Sequence, residues 1–352
     1  MTWTLLPIAR FAEASAEWDA LCRATGMPPF LESGFLRPLI EVFAGGSEQL
    51  ALLRAGSSWL AAAILRPRGW GLWETFQPSQ LPLGPVLAPP GQDLAELANG
   101  LLRALPGVGL SLGLTQLDPR SVARPAQGPA TRSSDYIHTA WVDIAGSFDA
   151  FWDARGKNLR QNVRKQRNKL QADGVAVELR CTRDAGGVAQ ALVHYGAMES
   201  AGWKAEGGTA IHPDNDQGRF YRAMLENFCA DGRGRIYSLC LDGTPVAMDL
   251  CIEAAGELVI LKTTYDEQQK ALSPSTLMRH EQFRQLFDEG SIRRIEFFGP
   301  IMEWHTRWTD NARTLYHANV DRWAAVEWMR ALKARLRPPG AAGQPASHGT
   351  HG

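Results

Sequence analysis

Residues Gly256–Phe287 read GELVILKTTYDEQQKALSPSTLMRHEQFRQLF. The run Leu258 to Tyr265 is apolar and rich in β-branched residues, the composition of a central strand. It ends at Asp266. A polar loop, Glu267 to Lys270, and the small-residue cluster Ser273-Pro274-Ser275-Thr276 follow. An apolar pattern of helical period then begins at Leu277 and continues through Phe283, Leu286 and Phe287. Strand, short loop and helix N-terminus together make an anion cradle. The first backbone N–H groups of a helix lack internal partners, and the helix dipole adds partial positive charge there. No acid stands in the first turn and Lys270 lies just before it, an arrangement that suits a pyrophosphate.

Working outward, the same element order occurs twice. The hairpin LALLRAGSSWLAAAIL from Leu50 has its counterpart in IYSLCLDGTPVAMDLC from Ile236. Each hairpin is preceded by helices and followed by an apolar strand, a loop, a helix and a last strand, the signature of a duplicated α/β unit. The loops differ. The first is bulky and proline-rich (QPSQLPLGPVLAPP from Gln77), so only the second is suited to a phosphate. Residues 119–134, rich in Pro, Arg, Ala and Ser, read as a linker. The expected organisation is therefore 1–118, linker 119–134, 135–337, and a disordered Pro/Gly-rich tail 338–352.

The chain has 352 residues, with 45% hydrophobic and 21% charged, enough for two ordinary globular domains. Its 37 basic and 37 acidic residues cancel, so bulk charge draws it to no nucleic acid. The five cysteines form no Cys-x-x-Cys pair and read as reduced core thiols, without a metal site. No basic, apolar leader opens the sequence and no run nears the ~18 apolar residues of a membrane span, so a cytoplasmic location is expected.

The charge is unevenly placed. Between Asp153 and Asp173 there is no acid, while seven basic residues occur. At helical spacing Lys157, Arg160, Arg164 and Arg167 share one stripe, with Trp152, Leu159, Val163 and Leu170 opposite. The stripe reads either as a solvated face or as the seat of an anionic partner; RNA binding would want exposed aromatics among the charges. In VAMDLCIE, Asp249 is an acid within a strand. It either pairs, with Lys262 on the neighbouring strand as one partner, or faces a wet cleft as a base. Trp203 and Lys204 lie in a long polar loop of the kind that shapes substrate sites.

Four pieces resemble the GNAT acyltransferase superfamily, and within it the CelD-like acetyltransferases related to the Fem aminoacyl transferases. They are LRQNVRKQRNKLQADG, Gly202-Trp203-Lys204, Tyr265-Asp266 with Ser273-Pro274, and Glu296-Phe-Phe-Gly299 with Trp304-His305 and Trp308. The resemblance spans about residues 140–310. Where the family has Ser-Pro-Gly this chain has Ser-Pro-Ser, and Trp304-His305 replaces the family's Tyr-Lys. The fold it implies is a mixed-sheet α/β tandem of GNAT-like domains, the second carrying the acyl-CoA site. The implied donor is acetyl-CoA or another acyl-CoA, held by Leu261, Thr263, Gln269, Lys270, Leu272, Ser273, Ser275 and Thr276. The acceptor is an amine or hydroxyl of a small molecule, sugar or cell-envelope or polysaccharide precursor, met by Trp203, Lys204, Tyr265, Arg160 and Arg164. His305, Asp249 and Glu303 are the candidate catalytic groups, since a base and oxyanion donors assist acyl transfer to an amine. Two alternatives stay open: Fem-like aminoacyl transfer from charged tRNA, although the helical arm common in those relatives has no room here, and a non-catalytic anion-binding module.

Overall fold

The computed structural model describes residues 2–56, 58–201 and 210–326. Thirteen strands form one mixed sheet in the order β1-β2-β3-β4-β6-β13-β7-β12-β11-β10-β9-β8, with β5 attached to β3. The first half supplies β1 (Thr2–Pro7), helices α1 (Ser15–Ala24) and α2 (Ser33–Phe43), the hairpin β2 (Gln49–Ala55) and β3 (Ser58–Gly69), then β4 (Leu72–Thr75), β5 (Val86–Leu87), α3 (Leu94–Ala104) and β6 (Ser111–Leu117). The second half repeats this order with β8 (Val177–Thr182), α6 (Ala185–Ala201), α7 (Asp216–Ala230), β9 (Gly234–Leu241), β10 (Thr244–Ala254), β11 (Glu257–Tyr265), α8 (Pro274–Glu289) and β12 (Arg294–Glu296). Before it come β7 (Thr131–Asp143), α4 (Phe148–Asp153) and α5 (Lys157–Ala172); after it come a short turn of helix, α9 (Glu303–Thr306), and β13 (Ala312–Asp321).

Each half holds one short parallel pair. In the first, Leu72–Glu74 of β4 pairs with Ser111–Gly113 of β6; in the second, Glu257–Val259 of β11 pairs with Arg294–Glu296 of β12. Beyond these three-residue ladders the strands part. At the parting point a non-glycine residue takes positive φ in both halves, Gln116 at 51° and Phe298 at 52°. The internal duplication is thus written into the backbone as well as the element order.

At the join the structure departs from the sequence reading in two places. β7 begins at Thr131, inside the stretch read as linker, and pairs with β12 through Trp141–Asp143. β13, which the apolar pattern did not mark, inserts between β6 and β7. The strand after β6 therefore lies beside the second half's last strand, and the strand after β12 lies beside the first half's. This exchange makes the sheet continuous. Trp152, placed by helical spacing on the basic helix, belongs instead to α4, with residues 154–156 between the two helices.

The helices α2 and α7 join the halves on one face: Phe35 and Phe43 meet Phe220 edge-on at 5.1 and 5.8 Å, and Arg233 bridges Glu32 at 2.7 Å. On the sheet itself Glu296, fully buried, takes Arg313 at 2.9 Å and Arg120 at 3.1 Å. Burial pushes the Glu296 carboxyl up to about 7, with the two guanidiniums pulling the other way. On the opposite face α8 packs under β9–β11 with α4 and α5 outside it, which is why α8 buries residues on several sides: Leu277, Met278, Arg279, His280, Phe283 and Leu286.

Candidate active site

The stretch Glu257–Phe287 folds as its pattern predicts: β11, a 3₁₀ turn Glu267–Leu272, and α8. Asp266 caps the turn by accepting from the Gln268 N–H at 2.9 Å. Ser273 stands between turn and helix in the left-handed region, φ 53°, ψ 54°, with Pro274 at the first helical position and no acid in the first turn. The Ser275 hydroxyl is buried without a hydrogen-bond partner in the described structure. Buried polar atoms are normally paired, so this orphan, at the head of a helix, is a candidate anchoring point.

The basic helix α5 lies against this loop. Gln166 donates to the Ala271 carbonyl at 3.1 Å, and Asn162 reaches the Ser273 hydroxyl at 3.4 Å. Leu159, Val163 and Leu170 are buried as the spacing predicts. Of the basic stripe, Arg160 turns back to the Arg155 carbonyl at 3.1 Å and Arg167 bridges Glu281 at 3.1 Å, whereas Arg164 is exposed. Lys270 is exposed too, and Gln269, Leu272 and Thr276 are half-buried around the turn.

The edge of β11 toward β12 is what the short parallel ladder leaves over. Pairing stops at Val259, so Leu261 and Thr263 lie where the two strands diverge. In the first half the equivalent gap is filled by the chain itself. Gly84 donates its N–H to the Gln116 carbonyl at 3.1 Å, and a Cβ on Gly84 would stand 2.3 Å from the Thr115 carbonyl oxygen. Thr75, Gln77 and Thr115 knit the rest, the Thr115 hydroxyl donating to Gln77 at 2.9 Å. Among the described residues no such segment enters between β11 and β12.

On the α8 face of the sheet, Asp249 of β10 stands opposite Thr263 of β11. Its fully buried carboxylate accepts from the Thr263 hydroxyl at 2.6 Å and forms an ion pair with Arg279 of α8, whose Nη2 donates at 3.3 Å. The partner is thus Arg279 and not Lys262: the register sets Lys262 opposite Leu250, on the other face, where it bridges the buried Glu199 at 3.0 Å above the rings of Tyr195 and Tyr221. Arg279 is itself buried, with its guanidinium within 6 Å of the rings of Phe297 and Trp304. It is the residue that sequence reasoning missed. Its signal was an arginine on the apolar face of α8, in phase with Phe283 and Leu286.

His305 closes this cluster. Its ring stacks on Trp304 and meets Phe297 edge-on at 4.7 Å. Burial, reinforced by the nearby Arg279 charge, lowers its pKa to about 4. The Met302 N–H donates to Nδ1 at 2.9 Å, which leaves the ring proton of the neutral imidazole on Nε2. His305 and Asp249 are therefore brought together around Arg279. Glu303 is not: it is exposed and bridges Arg307 at 2.7 Å. Tyr265 ends β11, half-buried against the core of the second half. Trp203 and Lys204 lie outside the described residues.

Residues 157–306 match the family model described as the acetyltransferase (GNAT) domain. Over 177 residues the chain is 28% identical to a histidine–tRNA ligase of Bifidobacterium longum, covering 48% of this chain and 34% of that protein. The chain thus spans about a third of the length of the curated relatives it matches. Among solved structures, L-PGS from Bacillus licheniformis aligns over 91% of this chain and 96% of its own, with a TM-score of 0.51 and 14% identity. FemX aligns over 96% and 100%, with a TM-score of 0.54 and 9% identity. At such identities the likeness is one of fold. The second half of the chain thus matches the acetyltransferase (GNAT) domain over residues 157–306, and the whole has a tandem GNAT-like fold shared with FemX.

Proposed function

We propose that the second half transfers an acyl group, acetyl in the first instance, from acyl-CoA directly to an amine or hydroxyl of a sugar or cell-envelope precursor. The observation that carries this reading is the contrast between the two gaps: the first filled by residues around Gly84, the second left between β11 and β12 and leading to the orphaned Ser275 hydroxyl. These features fit coenzyme A. The divergent edge at Leu261 and Thr263 offers backbone groups to the pantetheine amides as an added strand would. The α8 N-terminus, Ser275, Thr276 and Lys270 would hold the pyrophosphate, with exposed Arg164 supplying further positive potential.

When bound, the thioester supplies the activated acyl group; the chain's own residues orient it and steady the charge that develops. Asp249 stays paired with Arg279 and fixes the Thr263 side chain at the strand edge. His305, neutral with its proton on Nε2, acts as an N–H donor toward a developing oxyanion and not as a base. On the other face of β11, Lys262 with Glu199, Tyr195 and Tyr221 lines the acceptor side.

The test is calorimetry with acetyl-CoA on the full chain and on Thr276→Asp. An acid in the first turn favours the helix but opposes a bound anion, so the variant keeps its fold and loses affinity. Absence of acyl-CoA binding by the wild-type chain would refute the reading. A second reading, aminoacyl transfer from charged tRNA, is favoured by the basic α5 lying against the loop. In that case acyl transfer depends on aminoacyl-tRNA, and ribonuclease treatment abolishes it.

A further inference from the structure

One end of the first half's sheet gathers features that acyl transfer does not use. Leu72, Ser111 and Asp321 lie in one row across β4, β6 and β13. The turn before Leu72, the loop before Ser111 and the residues after Asp321 are therefore neighbours. Backbone bonds tie them together: Leu110 donates to the Gly71 carbonyl at 2.7 Å, and Arg322 to the Leu110 carbonyl at 2.9 Å.

Two tryptophans stand exposed on this end, Trp70 at 78% and Trp323 at 51%, with Val108 and Leu72 beside them. Single exposed apolar residues are ordinary; several on adjoining segments form a patch that calls for a partner. The Trp70 turn is held firmly. Gly71 has φ +67°, and a Cβ there would lie 2.6 Å from the Val108 carbonyl oxygen, so the turn sits tight on its neighbour while Trp70 projects. The rim is basic. Arg66 and Arg68 share a single carboxylate, Glu74, at 2.6 and 3.1 Å, and the Arg322 guanidinium lies 5.1 Å from the Trp323 ring centre.

A projecting aromatic tip with a positive rim has the chemistry of a peripheral bilayer contact. The amphipathic indole favours the headgroup level, and arginine favours anionic phosphate. Among the described residues no helix is long and apolar enough to cross a membrane, so the contact lies on the surface. We propose that this end of the first half docks on an anionic lipid bilayer, with Trp70 and Trp323 at headgroup depth and Arg66, Arg68 and Arg322 on the phosphates.

Flotation of the full chain tests this, using vesicles of phosphatidylcholine alone and of phosphatidylcholine with phosphatidylglycerol. Binding is expected to the anionic vesicles only, and to weaken as salt is raised. Arg68→Ala and Arg322→Ala should each lower partitioning about fivefold. Trp70→Ser should lower it further with an unchanged melting temperature, and Trp323→Ser serves as the independent variant should the first unfold. No flotation with anionic vesicles, equal flotation with neutral ones, or full binding by Trp70→Ser and Trp323→Ser would overturn the proposal. So would a concentration-dependent dimer that Trp70→Ser dissolves while vesicles bind neither form, since the patch would then seat a second copy of the chain.

Discussion

Replacing Asp249 by Asn keeps the shape of the side chain and removes its charge. The carboxylate is fully buried, and so is the Arg279 guanidinium that it holds; Thr263 donates to it at 2.6 Å and Gln282 accepts from Arg279 at 2.8 Å. With Asn at 249, the guanidinium is left among the rings of Phe283, Phe297 and Trp304 with neutral partners only. Removing one member of such a buried pair costs about 3–5 kcal/mol, a large share of the roughly 5–15 kcal/mol by which a domain is stable. Arg279→Met should cost a similar amount, because it strands the carboxylate. The double variant should cost less than the sum, since it leaves no unpaired charge buried. The assay is a double-mutant cycle by urea denaturation followed by circular dichroism. A different result would refute the reasoning: Asp249→Asn unfolding within about 0.5 kcal/mol of wild type, with catalysis abolished. Asp249 would then be a solvated base and the pair with Arg279 incidental.

Other outcomes follow from single residues. His305 stays neutral in the folded chain down to about pH 4 while the unfolded chain takes up its proton near 6.5. Its contribution to stability is thus full above 6.5 and is lost as pH falls through that window toward 4. His305→Gln should flatten that part of a urea-midpoint series against pH. Ser273 holds an αL conformation that costs a side-chain-bearing residue about 1 kcal/mol; Ser273→Gly should raise the melting temperature slightly. Gly84→Ala pushes a methyl against the Thr115 carbonyl and should destabilise the chain by about 1–3 kcal/mol, read by denaturation, without opening a second donor site.

Much of the second half was legible because its signals are local. Strand β11 announces itself by β-branched composition, α8 by apolar period after Ser-Pro, and α5 by the stripe of Leu159, Val163 and Leu170. The duplication was visible in the two hairpins. What escaped was set by distant pairing. β13 carries only Leu315, Tyr316, Ala318 and Val320 as a broken alternation, and its place between β6 and β7 depends on strands nearly two hundred residues away. The partner of Asp249 was misjudged for a related reason. A one-residue step along β11 exchanges Thr263, which faces α8, for Lys262, which faces α6 and α7, and sequence alone does not fix that register. The neutral state of His305 rests on its own burial and on the nearby Arg279 charge, neither of which composition shows.

The central claim is that one of two similar gaps, the one between β11 and β12, accepts coenzyme A while the other is filled by the chain's own residues. Titration of the full chain with acetyl-CoA in a calorimeter tests it most directly. One equivalent bound per chain, with affinity lost in Thr276→Asp and unaffected by changes around Gln77, is the predicted result. No binding, or two equivalents per chain, would contradict it.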